Sequence, residues 1–281
     1  MITIINANTD LGVHVDGANL GPKEITDKLD IKKYNIDKEN TIKSKDKDDL
    51  KKNLNEVNHF TKKVFEQELE ILNNNDFPLL IGGDHSAAIG SALASQKYYK
   101  NIGIIWIDAH GDYNTFETTR TGNLHGLPLA AITGYKCDDL TSFITDNHIN
   151  PKNCVIVGAR SIDPWEIGNL KDAGVTIFTT QDIHEKGSQT IMDEAFKIAL
   201  NNTNGTHISY DLDVIDPIIA PGVSVPEVNG ITLSEANEIM DYLVNRKDDI
   251  KSMDIVEFNP TKDIDNKTKA IALELINRFI K

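Results

Sequence analysis

A chain of 281 residues is long enough to bury a substantial core as one large α/β domain. Its formal charge of −14 argues against nucleic acid or an anionic membrane as a partner, and bound divalent cations would offset part of it. Cys137 and Cys154 alone give no disulfide framework, no apolar run reaches membrane-spanning length, and MITIINANTD lacks the features of a secretory signal, so a cytoplasmic location is expected.

In chain order, Ile2 to Ile5 predicts a first strand. The loop after it carries Gly12-Val13-His14-Val15-Asp16 and closes at Gly21-Pro22, a turn signal that also suits the start of a helix. His14 is read as structural or solvent-facing. The stretch from Lys32 to Asn53, with KSKDKDDLKK near its centre, has the mixed charge of a solvated loop or surface face and is assigned no chemistry. From about Asp48 to Asn73, Leu54, Val57, Phe60, Val64, Phe65, Leu69 and Leu72 recur mostly three or four apart, which predicts one long amphipathic helix.

Pro78 to Ile81 predicts a strand whose carboxyl end releases Gly82-Gly83-Asp84-His85-Ser86, and the Ala-rich run to Tyr98 predicts a helix. Ile102 to Ile107 is a continuous apolar run too short for an ordinary helix, so it reads as a strand buried on both faces. It turns abruptly polar at Asp108, His110 and Asp112, whose spacing of two points all three side chains to one side of an extended chain. The polar loop Tyr113 to Thr121 leads to Gly122-Asn123-Leu124-His125-Gly126 and is placed to contact a substrate; Pro128 to Ile132 predicts a short helix.

Cys154 to Gly158 and Val175 to Phe178 predict further strands. Asp163 stands before Pro164 where a helix cap would, with Glu166 just beyond, and Ser188 to Asn202 predicts a helix. Ile208-Ser209-Tyr210 reads as a strand that releases Asp211 and Asp213, again two apart. Pro217, Pro221 and Pro226 stiffen the loop that follows, Ser234 to Asn245 predicts a helix, and Ser252 to Phe258 predicts a strand with Glu257 near its end. A helix from Lys267 to Phe279 closes the chain, and His59, His148, His184 and His207 fall outside any ligand pattern.

The alternation of strands and helices predicts a three-layer α/β/α fold, a doubly wound, mainly parallel sheet of about eight strands, with residues 1–281 as a single domain. Ligand sites in such sheets lie outside the carboxyl ends of the strands, so His85, Asp108, His110, Asp112, Asp211 and Asp213 would meet in one crevice. Four carboxylates and two imidazoles resist burial together unless cations sit among them. One hydrolytic zinc usually takes three protein ligands, whereas this larger set, rich in carboxylates and without thiolate, fits two ions and favours manganese on softness grounds. Such a pair would activate a water towards an electrophile. Phosphoester hydrolysis would want basic groups near the metals, and only Arg120 and Arg160 lie in the relevant loops.

GGDHS at 82–86, DAHGDYN at 108–114, GNLHG at 122–126, SYDLDVIDP at 209–217 and DIVEFNP at 254–260 resemble the ureohydrolases, and within them the arginases most closely. The resemblance runs from about Gly12 to Pro260, with the motifs in the expected order. It implies a manganese-dependent hydrolase with two Mn2+ per subunit. One ion would be held by His85, Asp108, Asp112 and Asp211, the other by Asp108, His110, Asp211 and Asp213. A bridging hydroxide would attack the guanidinium carbon of L-arginine and release L-ornithine and urea. Glu257 matches the family acid that holds the guanidinium, Asp112 the one that passes a proton to the leaving amine, and His125 the proton shuttle.

The resemblance also places Asn114, Thr121 and Asn123 at the substrate α-carboxylate, and Asp163 and Glu166 at its α-amino group. Agmatine lacks the carboxylate and would not need the first set, so agmatinase is the alternative, and a non-catalytic metal-binding protein on the same fold stands behind it. Thr121 stands where Ser is usual and keeps the hydroxyl; Val225 stands where Thr is usual and loses one. A homo-oligomer, trimer or hexamer, is expected from the resemblance.

Overall fold

The structure is a computed structural model that describes residues 1–39, 43–46, 48–144 and 147–281. Its strands are β1 (Ile2–Asn8), β2 (Lys33–Asp37), β3 (Phe77–Gly82), β4 (Gly103–Ile107), β5 (Cys154–Ala159), β6 (Thr176–Thr179), β7 (Thr206–Asp211) and β8 (Ile250–Val256). They form an eight-stranded sheet in the order β2-β1-β3-β8-β7-β4-β5-β6, with every pairing parallel. Between the strands run α1 (Gly21–Thr26), α2 (Leu54–Asn73), α3 (Ala88–Tyr99), α4 (Pro128–Ile132), α5 (Pro164–Ala173), α6 (Thr180–Lys186), α7 (Ser188–Ala199) and α8 (Leu233–Asn245), and α9 (Lys267–Ile280) closes the chain. Among the described residues no helix is long and apolar enough to cross a membrane.

The two-residue period of the strands divides the interior. Ile105 and Ile107 of β4 join Val155, Ile208, Met253 and the inner faces of α1, α6, α7, α8 and α9 in one core; Ile104 and Trp106 join Leu80, Ile156, Val256 and the inner faces of α2, α3, α4 and α5 in the other. Helices thus cover both faces, the arrangement expected of a buried parallel sheet. The connection from β3 to β4 steps over β8 and β7, so β3, β8, β7 and β4 lie side by side at the centre and their carboxyl ends open on one place.

Three elements differ from the sequence reading. Residues 33–37, assigned to a solvated charged stretch, form an edge strand in which Ile36 alone is buried. Its side chains are held instead by amide hydrogen bonds, Asn6 Nδ2 donating to Asn35 Oδ1 at 2.9 Å and Asn8 Nδ2 to Asp37 Oδ1 at 3.0 Å. Of the rest of that stretch, residues 40–42 and 47 lie outside the described residues. α2 begins at Leu54, not near Asp48, because Asn53 takes a left-handed conformation with φ 61°. α6, a seven-residue helix too short to announce itself by periodicity, starts at a capping box in which Asp182 N–H donates to Thr179 Oγ1 at 3.1 Å and Thr179 N–H to Asp182 Oδ2 at 2.9 Å.

A polar cluster is sealed between α2, α3 and the sheet. Ser95 Oγ donates to Glu68 Oε1 at 3.0 Å and lies 2.6 Å from Ser252 Oγ; His207 reaches Ser252 Oγ at 2.7 Å and Asp254 Oδ2 at 3.0 Å, and Ser91 Oγ donates to Asp254. Glu68, His207 and Asp254 have no exposed surface, and Glu68 Oε2 has no partner. Burial, aided by the charge of Asp254, raises the Glu68 carboxyl well above its usual range. The folded chain therefore keeps a proton that the unfolded chain loses, and stability attributable to Glu68 falls as pH rises from the unfolded carboxyl value towards the folded one. Replacing Glu68→Gln removes this dependence: unfolding free energies from urea denaturation should show the variant gaining on wild type as pH rises above the ordinary carboxylate range, and a constant difference would contradict a neutral buried acid.

Candidate active site

The central strand ends bring the acidic residues together by a local device. Asp108 Oδ1 accepts from His110 N–H at 2.6 Å, Asp211 Oδ1 from Asp213 N–H at 2.7 Å and Asp84 Oδ1 from Ser86 N–H at 2.9 Å. Each strand therefore ends in an aspartate whose carboxylate bonds to the amide two residues on, turning the chain over itself. Convergence of side chains two apart arises from these turns, residues 212–214 forming a short 3₁₀ turn, and not from the extended backbone that the spacing suggested. Asp112 completes the set from a left-handed conformation with φ 48°, and Glu257, just past β8, has φ 70°. Strained conformations of this kind persist where surrounding structure over-determines them, often at functional sites.

At the floor, His85 Nδ1 lies 3.1 Å from Asp108 Oδ2, 3.1 Å from Asp112 Oδ2 and 3.0 Å from Asp211 Oδ2. None of these contacts has hydrogen-bond geometry, and the nitrogen is buried without a partner. The ring stacks on Trp106 at 4.0 Å, and its Nε2 meets Ser209 Oγ at 2.9 Å. With Nε2–H donating to that hydroxyl, Nδ1 turns its lone pair towards the carboxylates. His110 Nδ1 lies 3.4 Å from Asp108 Oδ1 and 3.0 Å from Asp213 Oδ2. Two groups of potential ligand atoms result, His85/Asp108/Asp211 and Asp108/His110/Asp213, joined through Asp108. Trp106 Nε1–H steadies the shared residue by donating to Asp108 Oδ2 at 2.9 Å.

Protonation in this cluster reports a deficit of positive charge. Burial and the neighbouring Asp213 and Asp108 raise Asp211 well above the usual carboxylate range, burial and Asp108 raise Asp112, and Asp213, chiefly through burial, is pushed up to about 6. His85 and His110 are raised well above the ordinary imidazole value because the surrounding carboxylates outweigh burial, and Asp108 is held low by the two imidazoles against the same burial. A cation would balance these groups, and an imidazole nitrogen without a hydrogen-bond partner facing carboxylate oxygens is the shape of a place to hold one.

Beside the floor, Glu257 Oε1 accepts from His85 N–H at 2.8 Å and meets His125 Nδ1 at 3.0 Å, while Oε2 is buried without a partner. Against burial, each of this pair favours the charged form of the other, so His125 is raised and Glu257 lowered. Above them opens a cavity of about 330 Å³ lined by His110, Asp112, His125, Asp211, Asp213 and the rim residues Asn114, Thr121, Asn123, Asp163 and Glu166. His85, Asp108 and Glu257 are buried beneath that lining.

The rim is tied together by side chains. Asn114 Nδ2 donates to Asp163 Oδ2 at 3.1 Å and Asn114 Oδ1 accepts from Thr118 at 2.9 Å. Asn123 Nδ2 lies 2.9 Å from His14 Nδ1. Glu166 accepts from Tyr113 N–H at 2.6 Å and from Asp163 N–H at 3.1 Å, in the capping box of α5 that Asp163 and Pro164 begin, and burial pushes its carboxyl up to about 8. Val225 and Arg120 also line the cavity. Arg160 does not; it donates to the carbonyls of Asp213, Val214, Glu227 and Val228 and braces the proline-rich loop.

The sequence reading missed several parts of this site. Ser209 and Asp84 sit inside its own motifs, but their parts, a hydroxyl behind His85 and a carboxylate accepting from the Ser86 and Gly12 amides, show only in three dimensions. Trp106 was counted as core, and Glu227, whose Oε1 lies 3.7 Å from His110 Nε2, is in a loop with no distinguishing pattern.

A model of the arginase family matches residues 1–281. An arginase of Bacillus subtilis strain 168 is 37% identical over 290 aligned residues, covering 99% of this chain and 97% of the relative. The native structure of the Bacillus caldovelox arginase is 34% identical with a TM-score of 0.91, covering 99% of this chain and 97% of that one. The Entamoeba histolytica arginase in complex with L-ornithine is 29% identical with a TM-score of 0.92, covering 99% and 98%. With strand ends, buried ligand groups and full-length likeness in agreement, the chain belongs to the arginase family.

Proposed function

We propose that the protein hydrolyses L-arginine to L-ornithine and urea with two manganese ions held by His85, Asp108, His110, Asp112, Asp211 and Asp213. The observation that carries this reading is the pair of ligand groups sharing Asp108 beneath a cavity whose rim offers a zwitterion both its partners. The donors are oxygen and imidazole, and the two cysteines, Cys137 and Cys154, are buried elsewhere, which suits manganese better than softer metals. Bound there, the cations supply Lewis acidity and bring a coordinated water's pKa towards neutrality.

The chain's own residues do the rest. Glu257 Oε2, buried without a donor, accepts from the substrate guanidinium and fixes it over the floor. Asp112 lines the cavity at the edge of the floor, where its carboxylate can take a proton and hand it to the leaving amine. His125 is tied to Glu257 through Nδ1, which leaves Nε2 as the atom that exchanges protons with the cleft. Asn114, Thr121 and Asn123 take the α-carboxylate, and Asp163 and Glu166 the α-amino group. A site for agmatine would not need the first three. One domain over residues 1–281, a cytoplasmic location and a trimeric or hexameric assembly belong to the same proposal; Trp165, Ile167, Ile218 and Val228 give exposed apolar surface to a partner copy.

Urea release from L-arginine and from agmatine, measured in parallel on manganese-loaded protein with a chelated control, tests the reading. Chelator-sensitive urea from L-arginine alone is expected, and urea from agmatine alone would discard the assignment of the rim. Replacing Asp211→Ala should remove metal binding, followed by calorimetric titration with Mn2+, and activity together; full activity in that variant would sink the two-metal floor. At the cavity wall, Val225→Thr restores a hydroxyl worth roughly 1 kcal/mol as a hydrogen bond, so KM for L-arginine should fall roughly two- to tenfold with kcat little changed.

A further inference from the structure

The charged run before α2 reads as solvated surface, yet it holds one buried lysine, Lys52, and a second, Lys43, whose side chain is covered. Lys52 is 5% exposed and its ammonium donates to the main-chain carbonyl of Thr121; among the described residues no carboxylate pairs with it. Lys43, with a side chain 5% exposed, donates to the carbonyls of Asp10 at 3.0 Å, Val13 at 2.9 Å and Val15 at 3.1 Å and pairs with Asp16 at 2.8 Å. Asn53 adds a bond from Nδ2 to the carbonyl of Leu11 at 3.3 Å.

These contacts reach both loops of the cavity mouth. Lys43 and Asn53 hold the loop that carries His14, and Lys52 holds the turn that carries Thr121 and Asn123; His14 and Asn123 then meet across the rim. The turn is pressed directly on the charged segment. Gly122 has φ 64°, and a Cβ there would lie 2.8 Å from Asp49 O, 2.9 Å from Leu50 Cα and 3.1 Å from Lys52 Nζ. Glycine is thus required at that position both for its backbone conformation and for the approach.

Resting on the reading of L-arginine as substrate, we propose that Lys52 is a positioning residue for recognition of the α-carboxylate. It seats the Thr121–Asn123 turn and sets a buried positive charge behind the hydroxyl and amide that take the carboxylate. A buried ammonium without a counter-charge is costly, and the arriving carboxylate lowers that cost. Five acidic side chains line the cavity, Asp112, Asp163, Glu166, Asp211 and Asp213, against Arg120 as the one Lys or Arg in the described lining, so a second cation behind the turn adds compensation on the side where an anionic group binds.

The test compares Lys52→Met, Lys52→Gln and Lys52→Arg with wild type in the full-length, manganese-loaded protein. Steady-state kinetics on L-arginine are run alongside inhibition by agmatine, which carries the guanidinium without the carboxylate. The proposal expects KM for L-arginine to rise about tenfold in the Met and Gln variants with kcat within about twofold, manganese content and the inhibition constant of agmatine unchanged, and Lys52→Arg to recover most of the loss. Should Lys52→Met fail to fold by circular dichroism, the Gln and Arg variants carry the comparison. An unchanged KM, or a fall in kcat with loss of manganese, overturns the role of Lys52 alone. Absence of urea from L-arginine in the wild type overturns the hydrolase reading first, and this inference with it.

Discussion

The burial of four carboxylates around two imidazoles is the constraint on which the rest of the structure depends. Like charges this close in a poorly solvated floor cannot all ionise, and the raised carboxyls of Asp112, Asp211 and Asp213 register that conflict directly. Such a cluster survives folding only on a rigid support, because the gain from any cation depends on holding the ligand atoms still before it arrives. Four adjacent parallel strands give that support, with backbone amides donating to Asp108, Asp211 and Asp213. Trp106 and Ser209, one residue type from the core and one from a strand face, then orient Asp108 and His85 from behind.

How much of this could be read from the chain follows from where the determinants lie. Ile102 to Ile107 and Ile208 to Tyr210 announce central strands because burial on both faces demands uninterrupted apolar residues, and their abrupt polar ends mark the floor. The edge strand β2 meets no such demand. Lys33 to Asp37 has a single buried residue and gains its place from amide pairs with Asn6 and Asn8, contacts whose partners lie 29 residues away. The start of α2 was misplaced for a related reason: Asn53 leaves the helix to bond with Ser44 and Leu11, a preference expressed only once those loops are folded. In the site, spacing of two singled out residues that do converge, but through a different geometry, since the same spacing that alternates in a strand also closes an aspartate turn.

Charge composition misled for a deeper reason. A run such as KSKDKDDLKK is usually solvated because nothing else in the chain offers its ammonium groups a better partner than water. Here the loop from Asp10 to Val15 turns several carbonyls in one direction, and the exposed end of the Thr121 turn offers another. Buried carbonyls need donors, and a lysine stem long enough to reach them packs its methylenes on the way. The decision between surface and scaffold therefore lies in the acceptors and not in the charged run itself, which is why composition alone could not make it.

Floor and rim also differ in what substitution costs them. On the floor every side chain balances the charge of its neighbours, so deleting one carboxylate unbalances the protonation of the rest and the hold on a cation at once. On the rim the side chains make separate hydrogen bonds, each worth on the order of 1 kcal/mol: Asn114 to Asp163, the Asp163 amide to Glu166, and Asn123 with His14. Chemistry is thereby concentrated in the cooperative part built on strand ends. The shape of the opening above it is left to the loops, held by side-chain bonds to backbone from Lys43 and Lys52 among others.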